Sequence, residues 1–287
     1  MELEKVIDKF LTYMEGIDRS VDTIKLYRRD LRYTRQWIEK EFGRRVDIDE
    51  ITADTIENFM RHLKVEKNYS PCTRSRFFYT LRSIYKYAYK KEIVKRNVAA
   101  TVDFIRMPKR EREFLGEEDV FKLIKAVKNP LIKLVTEFLF YTGLRISECL
   151  KLKLEDVDLD NKIIMVRMGK GNKDRVVPIN QKLYLKLLSY SLHDRKAINS
   201  PYFFATKKSG KLSICYVDAT LKNAAEKLGW KRNVSCHIIR HSFATCLLRR
   251  NVSLVYIQKL LGHSSLAVTS VYLHSDYRDL AEAVNRL

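Results

Sequence analysis

The sequence predicts a mainly α-helical protein with a small β-sheet confined to its second half. Apolar residues recur every three or four positions along most of the 287-residue chain, which is the spacing of helices with one buried face. Two β-rich runs, 163–166 and 176–179, flank a glycine-containing turn and predict a hairpin. A charged segment with few apolar residues, 108–113, predicts a linker between a helical domain at 1–107 and a second domain at 114–287.

Four amphipathic helices are expected in the first domain. Ser20 and Thr52 are candidate N-caps of the second and third helices, because a hydroxyl accepts hydrogen bonds from the free N–H groups of a first turn. Ser70 followed by Pro71 predicts the start of the fourth helix, since proline suits the first helical position. The residues expected to face inward are Leu3, Val6, Ile7, Phe10, Leu11, Met14, Ile24, Tyr27, Leu31, Ile38, Ile56, Phe59, Met60, Leu63, Phe77, Phe78, Leu81, Ile84 and Ala88.

The fourth helix concentrates the positive charge of the first domain. The window 61–96 holds 11 basic and 2 acidic residues, a net charge of +9. Arg74, Arg82, Lys86 and Lys90 lie at multiples of four residues, which predicts a single like-charged stripe. Like charges at that spacing repel each other, and a polyanion lying along the stripe would reverse the sign of that cost. These four residues are therefore candidates for DNA binding, and the alternative is a solvated face.

The second domain is expected to alternate helices with the hairpin. Pro130 should begin a helix that continues to Tyr141 and is closed by Gly143. The run 201–204 is a candidate edge strand beside the hairpin. Two later segments, 213–228 and 276–287, are predicted to be helical, the second with an apolar stripe.

Polar residues with catalytic potential cluster toward the end of the chain. Ser235 is a candidate N-cap for a helix with one apolar side. His237 and Arg240 lie three residues apart and so project in neighbouring directions. His241 follows His237 by four residues, as in the zinc motif H-E-x-x-H, but Ile238 occupies the position where that motif needs its glutamate. A zinc site at these two histidines is therefore only an alternative interpretation, and the sequence predicts no metal.

A second cluster follows directly. Gly262 comes after an apolar helical run, where a left-handed residue would end the helix. His263 is the next residue, and Tyr272 lies nine residues beyond it.

Bulk composition limits the kind of partner. The formal charge of +20 comes from 55 basic and 35 acidic residues, with a pI of about 9.7, which is typical of proteins that bind polyanions. A merely soluble basic protein is the alternative. No apolar run approaches the ~18 residues of a membrane span, and the acidic, amphipathic start is unlike a signal peptide, so no membrane partner is expected. Five cysteines without a C-x-x-C pair predict reduced thiols in an intracellular protein. The expected location is cytoplasmic and nucleoid-associated.

Together these motifs resemble the signature of the tyrosine recombinase (phage integrase) family. H-x-x-R-H at 237–241 and L-G-H-S-S at 261–265 precede Tyr272. Upstream, a T-G-L-R-x-S-E box stands at 142–148, and a hairpin turn at 169–174 corresponds to the turn that holds the family's lysine. Four separated motifs in the family's order make the resemblance specific.

A phosphodiester is a charged, poor electrophile. Cutting it requires a positioned nucleophile, cations on the non-bridging oxygens and an acid for the leaving 5′ oxygen. Guanidinium groups suit the oxygens, histidines can donate to the phosphate or move protons, a tyrosine can hold the ester, and a lysine can act as the acid. The resemblance assigns these roles to Arg145, Lys170, His237, Arg240, His263 and the nucleophile Tyr272, with Glu148 and His241 in support.

Several residue-level alternatives stay open. Lys173 lies in the same turn as Lys170 and competes for its role. Arg145 has Glu148 three residues away and could simply pair with it. Tyr272 is one of 16 tyrosines and, taken by itself, would be an ordinary core or surface aromatic.

The resemblance implies a two-domain clamp around duplex DNA, closest in layout to the chromosomal Xer type. It also implies a homotetramer on two DNA sites, with 276–287 docking on a neighbouring subunit, and strand exchange without ATP, metal or another cofactor. An accessory protein is a further candidate partner. The alternative functions are a mobile-element integrase, a type IB topoisomerase and a non-catalytic DNA-binding regulator.

Overall fold

The protein divides into two compact units, Met1–Arg110 and Glu111–Leu287. The structure is a computed structural model, and it describes residues 1–107, 113–167 and 174–262. The predicted mainly helical fold with a small sheet in the second half is confirmed. The functions expected of the two domains and the exact limits of the linker stay predictions.

Four α-helices form the N-terminal unit: α1 (Leu3–Gly16), α2 (Val21–Phe42), α3 (Ala53–Val65) and α4 (Pro71–Lys90). The three predicted caps are confirmed, because Ser20, Thr52 and Ser70 each accept a hydrogen bond from the backbone N–H three residues later, at 3.3, 3.2 and 3.3 Å. Every residue expected to face inward is buried, except Tyr27, which is partly buried. One hydrophobic core therefore holds all four helices together.

A buried ion pair joins α2 to α4. Asp30 of α2 is fully buried, and Arg76 of α4 donates to its two carboxylate oxygens at 2.8 and 3.2 Å. Arg29 adds a longer contact of 3.4 Å. Removing one partner of such a pair leaves a buried charge uncompensated, so this contact fixes how the two helices pack.

The described part of the C-terminal unit contains α5 (Glu117–Ala126), α6 (Pro130–Thr142), α7 (Ile146–Cys149), α8 (Gln181–Ser189), α9 (Ile214–Lys227), α10 (Cys236–Arg249) and α11 (Leu254–Leu261). Helix α6 is the centre of this unit, because it is buried on most sides and packs against α5, α8 and α10. As predicted, it begins at Pro130 and ends at Gly143, which is left-handed with φ of 64°.

The predicted hairpin is confirmed. Strands β1 (Val157–Asp158), β2 (Ile163–Val166) and β3 (Arg175–Pro178) form an antiparallel sheet in the order β1-β2-β3. In β2 and β3, Val166 lies opposite Arg175 and Ile164 opposite Val177. The first strand was not predicted.

The predicted edge strand at 201–204 is wrong. These residues contribute only an isolated bridge between Tyr202 and Lys153. The guanidinium of the buried Arg195 donates to the carbonyls of Tyr202 and Phe203, at 3.0 and 3.1 Å. These two carbonyls therefore already have a side-chain partner in place of a neighbouring β-strand. Phe203 and Phe204 instead fill the core.

Helix α8 was not predicted, although its signals are present in the sequence. Asn180 caps it by accepting from the N–H of Lys182 at 2.8 Å, and Leu183, Leu187 and Tyr190 are buried at helical spacing. The helix continues into a π-helical segment, Tyr190–Arg195.

Two expectations from composition can be compared with the structure. The five cysteines are free thiols, as expected. Within the described ranges, no helix has both the length and the hydropathy that crossing a bilayer requires.

Candidate active site

The candidate site begins at the end of α6. Gly143 must be glycine here, because an added Cβ would lie 2.3 Å from the ring of Phe243, and its φ is positive. The turn at Gly143 leads to Arg145 at the start of α7. Glu148, on the same short helix, accepts from the Arg145 backbone N–H at 2.9 Å and from Arg145 Nη1 at 2.7 Å. The pairing of Arg145 with Glu148, left open from the sequence, is therefore present.

Arg175, the first residue of β3, meets the same carboxylate. Its Nη1 and Nη2 donate to Glu148 Oε1 and Oε2 at 3.2 and 2.7 Å, a bidentate pair. Its Nε donates to the carbonyl of Leu260 at 3.1 Å. This residue was not predicted from the sequence. The available signal was an arginine that opens a strand directly after a glycine-containing turn.

Helix α10 contributes Arg240, whose side chain is only 4% exposed. Its Nη1 donates to the carbonyl of Gly143 at 2.6 Å, and its Nη2 donates to that of Leu261 at 2.7 Å. Arg240 Nη1 also lies 3.9 Å from Glu148 Oε2. The fold thus brings together Arg145 and Arg240, which the sequence analysis selected from two separate motifs.

The start of α10 differs from the prediction. Ser235 occupies the N-cap position, but its side chain accepts no hydrogen bond from the first turn. Asp218 of α9 takes that role by accepting from the N–H of Cys236 at 2.8 Å. A carboxylate suits this place because the N-terminal end of a helix carries partial positive charge.

The two histidines of α10 differ in exposure. His237 is exposed and His241 is buried, and their rings meet edge to face with centroids 4.5 Å apart. Across the described part of the chain, no group of three or more His, Cys, Asp or Glu side chains has the arrangement of a metal site.

The electrostatics of Glu148 follow from its neighbours. Burial by itself would raise the pKa of this carboxyl. Hydrogen bonds from Arg175 and from the backbone and side chain of Arg145 act in the opposite direction and lower its pKa from 4.5 to about 2. Glu148 is therefore an anion at neutral pH that holds guanidinium groups together.

Glu148 and its three arginines, called here the Glu148 cluster (Arg145, Glu148, Arg175 and Arg240), also fix the end of α11 through Arg175 and Arg240. The last four carbonyls of a helix lack partners inside it. Those of residues 258 and 259 accept from the N–H of Gly262, while Arg175 and Arg240 take those of Leu260 and Leu261. Gly262 has the predicted left-handed conformation, with φ of 64°.

Lys170, His263, Tyr272 and the segment 276–287 lie outside the described residues, as does Lys173. Their expected roles, and the choice between the two lysines, stay predictions.

The predicted basic stripe on α4 is not continuous. Lys86 and Lys90 are exposed, whereas Arg74 and Arg82 are half-buried. Arg82 donates to the carbonyl of Ala99 at 3.3 Å, and its guanidinium lies 4.4 Å from the ring centre of Phe104. The physical reason is that each step of four residues turns a helix by about 40°, so Arg74 and Lys90 point about 160° apart.

Comparisons with known proteins agree with this arrangement. The model of the phage integrase family matches residues 113–279, and that of the phage integrase SAM-like domain matches residues 5–104. The chain is 33% identical to "Tyrosine recombinase XerA" of Pyrococcus horikoshii, covering 98% of this chain and 93% of that relative.

Two solved structures are similar in fold. One is the XerH site-specific recombinase bound to difH substrate, with a TM-score of 0.74 and 23% identity, covering 98% of this chain and 83% of that one. The other is a lambda integrase tetramer bound to a Holliday junction, with a TM-score of 0.79 and 17% identity, covering 95% of this chain and 77% of that one. The chain belongs to the phage integrase family, and its enzyme class is that of the site-specific tyrosine recombinases.

Proposed function

We propose that this protein cuts and rejoins duplex DNA at a specific site through a 3′-phosphotyrosyl intermediate. The observation that supports the proposal best is the Glu148 cluster. Arg240 reaches the carbonyl of Gly143 across 97 positions of sequence, which places its guanidinium beside the turn that presents Arg145. Two guanidinium groups held on one carboxylate are suited to bind the two non-bridging oxygens of one phosphate.

In the proposed cleavage step, the phenol oxygen of Tyr272 attacks the phosphorus and the bond to the 5′ oxygen breaks. The phenol gives its proton to water, and Lys170 donates one to the leaving 5′ oxygen. Arg145 and Arg240 stabilise the charge that develops on the non-bridging oxygens, and His237 and His263 donate hydrogen bonds to the same phosphate. Glu148 and His241 support these groups.

Rejoining reverses the step with a new strand. The 5′ hydroxyl of the partner strand attacks the phosphotyrosine, Lys170 takes the proton of that hydroxyl, and the phenol of Tyr272 is regenerated. Each bond broken is replaced by one of the same kind, so the two transesterifications need no ATP. The residues assigned to these steps also need no metal or other cofactor.

DNA binding outside the site would use the phosphates. We assign backbone contacts to the exposed Lys86 and Lys90, and not to the half-buried Arg74 and Arg82 of the same helix. We further propose a cytoplasmic homotetramer acting on two DNA sites, in which residues 276–287 dock on a neighbour. The lambda integrase tetramer, which shares this fold, supports that assembly. An accessory protein stays a candidate partner.

The proposed biological role is the resolution of chromosome dimers at a dif-like site, supported by the likeness to "Tyrosine recombinase XerA". An integrase of a mobile element would use the same residues and is the second candidate. A type IB topoisomerase would relax supercoils without site preference, and a DNA-binding regulator would form no covalent adduct.

Covalent trapping tests the proposal. The protein is incubated with nicked duplex fragments of its host's chromosome, and an SDS-resistant protein–DNA adduct is expected. Tyr272→Phe should abolish the adduct and keep binding, whereas Tyr256→Phe, which changes an exposed tyrosine with no assigned role, should keep both. An adduct in Tyr272→Phe would contradict the assignment. Sequencing the trapped DNA separates a chromosomal site from the ends of a mobile element.

A further inference from the structure

We infer that Arg175 is a positioning residue for the reaction, linking the catalytic hairpin to two other parts of the site. The inference rests on the proposed function for its role in cleavage. It goes beyond the family motifs quoted above, because Arg175 stands in none of the assigned roles.

The first observation is the number of acceptors that Arg175 holds. Three of its five N–H groups are used: Nη1 and Nη2 on the two oxygens of Glu148, and Nε on the carbonyl of Leu260. The side chain is 12% exposed, so solvent does little to replace these bonds. A guanidinium is planar and can meet such a set of acceptors at once, whereas a lysine ammonium cannot reproduce the fork.

The second observation is where these acceptors lie. Glu148 belongs to α7 and also binds Arg145, so Arg175 acts on the first catalytic arginine through their shared carboxylate. Leu260 lies in the last turn of α11, three residues before His263. Arg175 itself begins β3, the strand that follows the turn containing Lys170. One side chain therefore joins the chain segments that carry three of the proposed catalytic residues.

The third observation is the packing of Gly262 against this side chain. An added Cβ at Gly262 would lie 2.9 Å from Arg175 Nη1 and 3.0 Å from its Cδ and Cζ. The residue that directly precedes His263 thus lies on the guanidinium, and moving one would disturb the other. Arg175 is therefore proposed to act through Arg145 and His263, and no contact with DNA is assigned to it.

The experiment compares Arg175→Ala and Arg175→Lys with Arg167→Ala. Arg167 lies on the same hairpin and pairs with a buried carboxylate, Asp156 at 2.6 Å, but it does not touch the Glu148 cluster. Single-turnover adduct formation is measured at saturating protein, together with DNA affinity and thermal unfolding. We expect Arg175→Ala to lower the rate about 100-fold, as a misplaced catalytic group does, with affinity close to that of Arg167→Ala.

Chemical rescue separates positioning from mere stability. Millimolar guanidinium chloride should restore part of the rate of Arg175→Ala, because the free cation can occupy the vacated place between Glu148 and Leu260. Methylammonium should not, and Arg175→Lys should stay slow. Millimolar guanidinium is too dilute to change the free energy of unfolding appreciably, so a variant that is slow only because it is unstable would not be rescued. That result, or a rate equal to that of Arg167→Ala, would overturn the inference.

Hydrogen exchange gives a measurement independent of the reaction. The amides of α11 and β3 should exchange faster in Arg175→Ala than in Arg167→Ala. If the wild-type protein formed no adduct on any DNA, the proposed function would fail while this comparison still decided the positioning role. Unchanged exchange in α11 and β3 would refute that role by itself.

Discussion

Asp30 in the N-terminal unit and Glu148 in the C-terminal unit are both buried carboxylates bound by arginines. The two sites differ in how far those arginines are exposed to solvent. The arginines of Asp30 reach solvent, with side chains 36% exposed at Arg76 and 65% at Arg29. Those of Glu148 are more enclosed, down to 4% at Arg240. At Asp30 the arginines satisfy a carboxylate that packs two helices. In the proposed reaction the carboxylate of Glu148 holds cations in place for chemistry, so a similar contact would serve stability in one unit and function in the other.

The largest expected effect tests this contrast directly. Glu148→Gln should lower the single-turnover rate of adduct formation about 100-fold or more, because an amide turns one acceptor into a donor facing a guanidinium and displaces Arg145. Asp30→Asn should instead cost about 3 kcal/mol of unfolding free energy while the rate per folded molecule stays unchanged. Rates at saturating protein and urea unfolding measure the two effects. The reverse pattern would break the comparison.

Two left-handed glycines sharpen the comparison at the level of the backbone. Gly43 ends α2 with open space around it, whereas Gly143 faces the ring of Phe243. Gly43→Ala should cost about 1–2 kcal/mol of unfolding free energy, the price of a left-handed residue with a Cβ. Gly143→Ala should cost about 3 kcal/mol or more, since overpacking adds to the same strain. Urea unfolding of both variants gives the difference, and equal losses would contradict it.

Acid should weaken the C-terminal unit through Glu148. Its pKa is about 2 in the folded protein and near 4.5 in the unfolded chain, so its contribution is present above pH 4.5 and is lost as the pH falls toward 2. Between about pH 5 and pH 3 the wild-type protein should lose about 2 kcal/mol of unfolding free energy from this group. Glu148→Gln should lack that part of the loss. Urea unfolding at the two pH values measures it, and identical pH dependence in both proteins would contradict the prediction.

The smallest effect separates two basic residues of α4. Lys86→Ala should weaken binding to any DNA sequence and reduce the slope of log affinity against log salt by about one unit. Arg82→Ala should leave that slope nearly unchanged, because its guanidinium packs on Phe104, and should mainly lower stability. Affinity measured over a series of salt concentrations distinguishes them. A full unit lost in Arg82→Ala would restore the stripe expected from sequence.

The parts of the fold that sequence predicts well depend on local chemistry. The caps at Ser20, Thr52 and Ser70 use only neighbouring residues. Gly143 and Gly262 end their helices in the left-handed conformation, which depends only on the local backbone. Amphipathic spacing likewise identifies the inward faces of α1 to α4.

Three of the misses involve partners that are distant in sequence. Asp218 replaces Ser235 as the cap of α10 across 18 positions, and Arg175 reaches Glu148 across 27. Arg195 takes the carbonyls that a strand at 201–204 would have used. Periodicity in a single sequence carries no information about such contacts. The motifs selected Arg145, Glu148 and Arg240 but could not show that Arg175 joins them.

The Glu148 cluster contains three guanidinium groups and one carboxylate, so its net charge is +2. A DNA phosphodiester brings one negative charge to such a site. The five-coordinate phosphorus formed by addition of a tyrosine oxygen in the proposed reaction carries two. The positive charge of the cluster therefore attracts the five-coordinate state more strongly than the bound substrate, which is the condition for binding energy to lower a barrier.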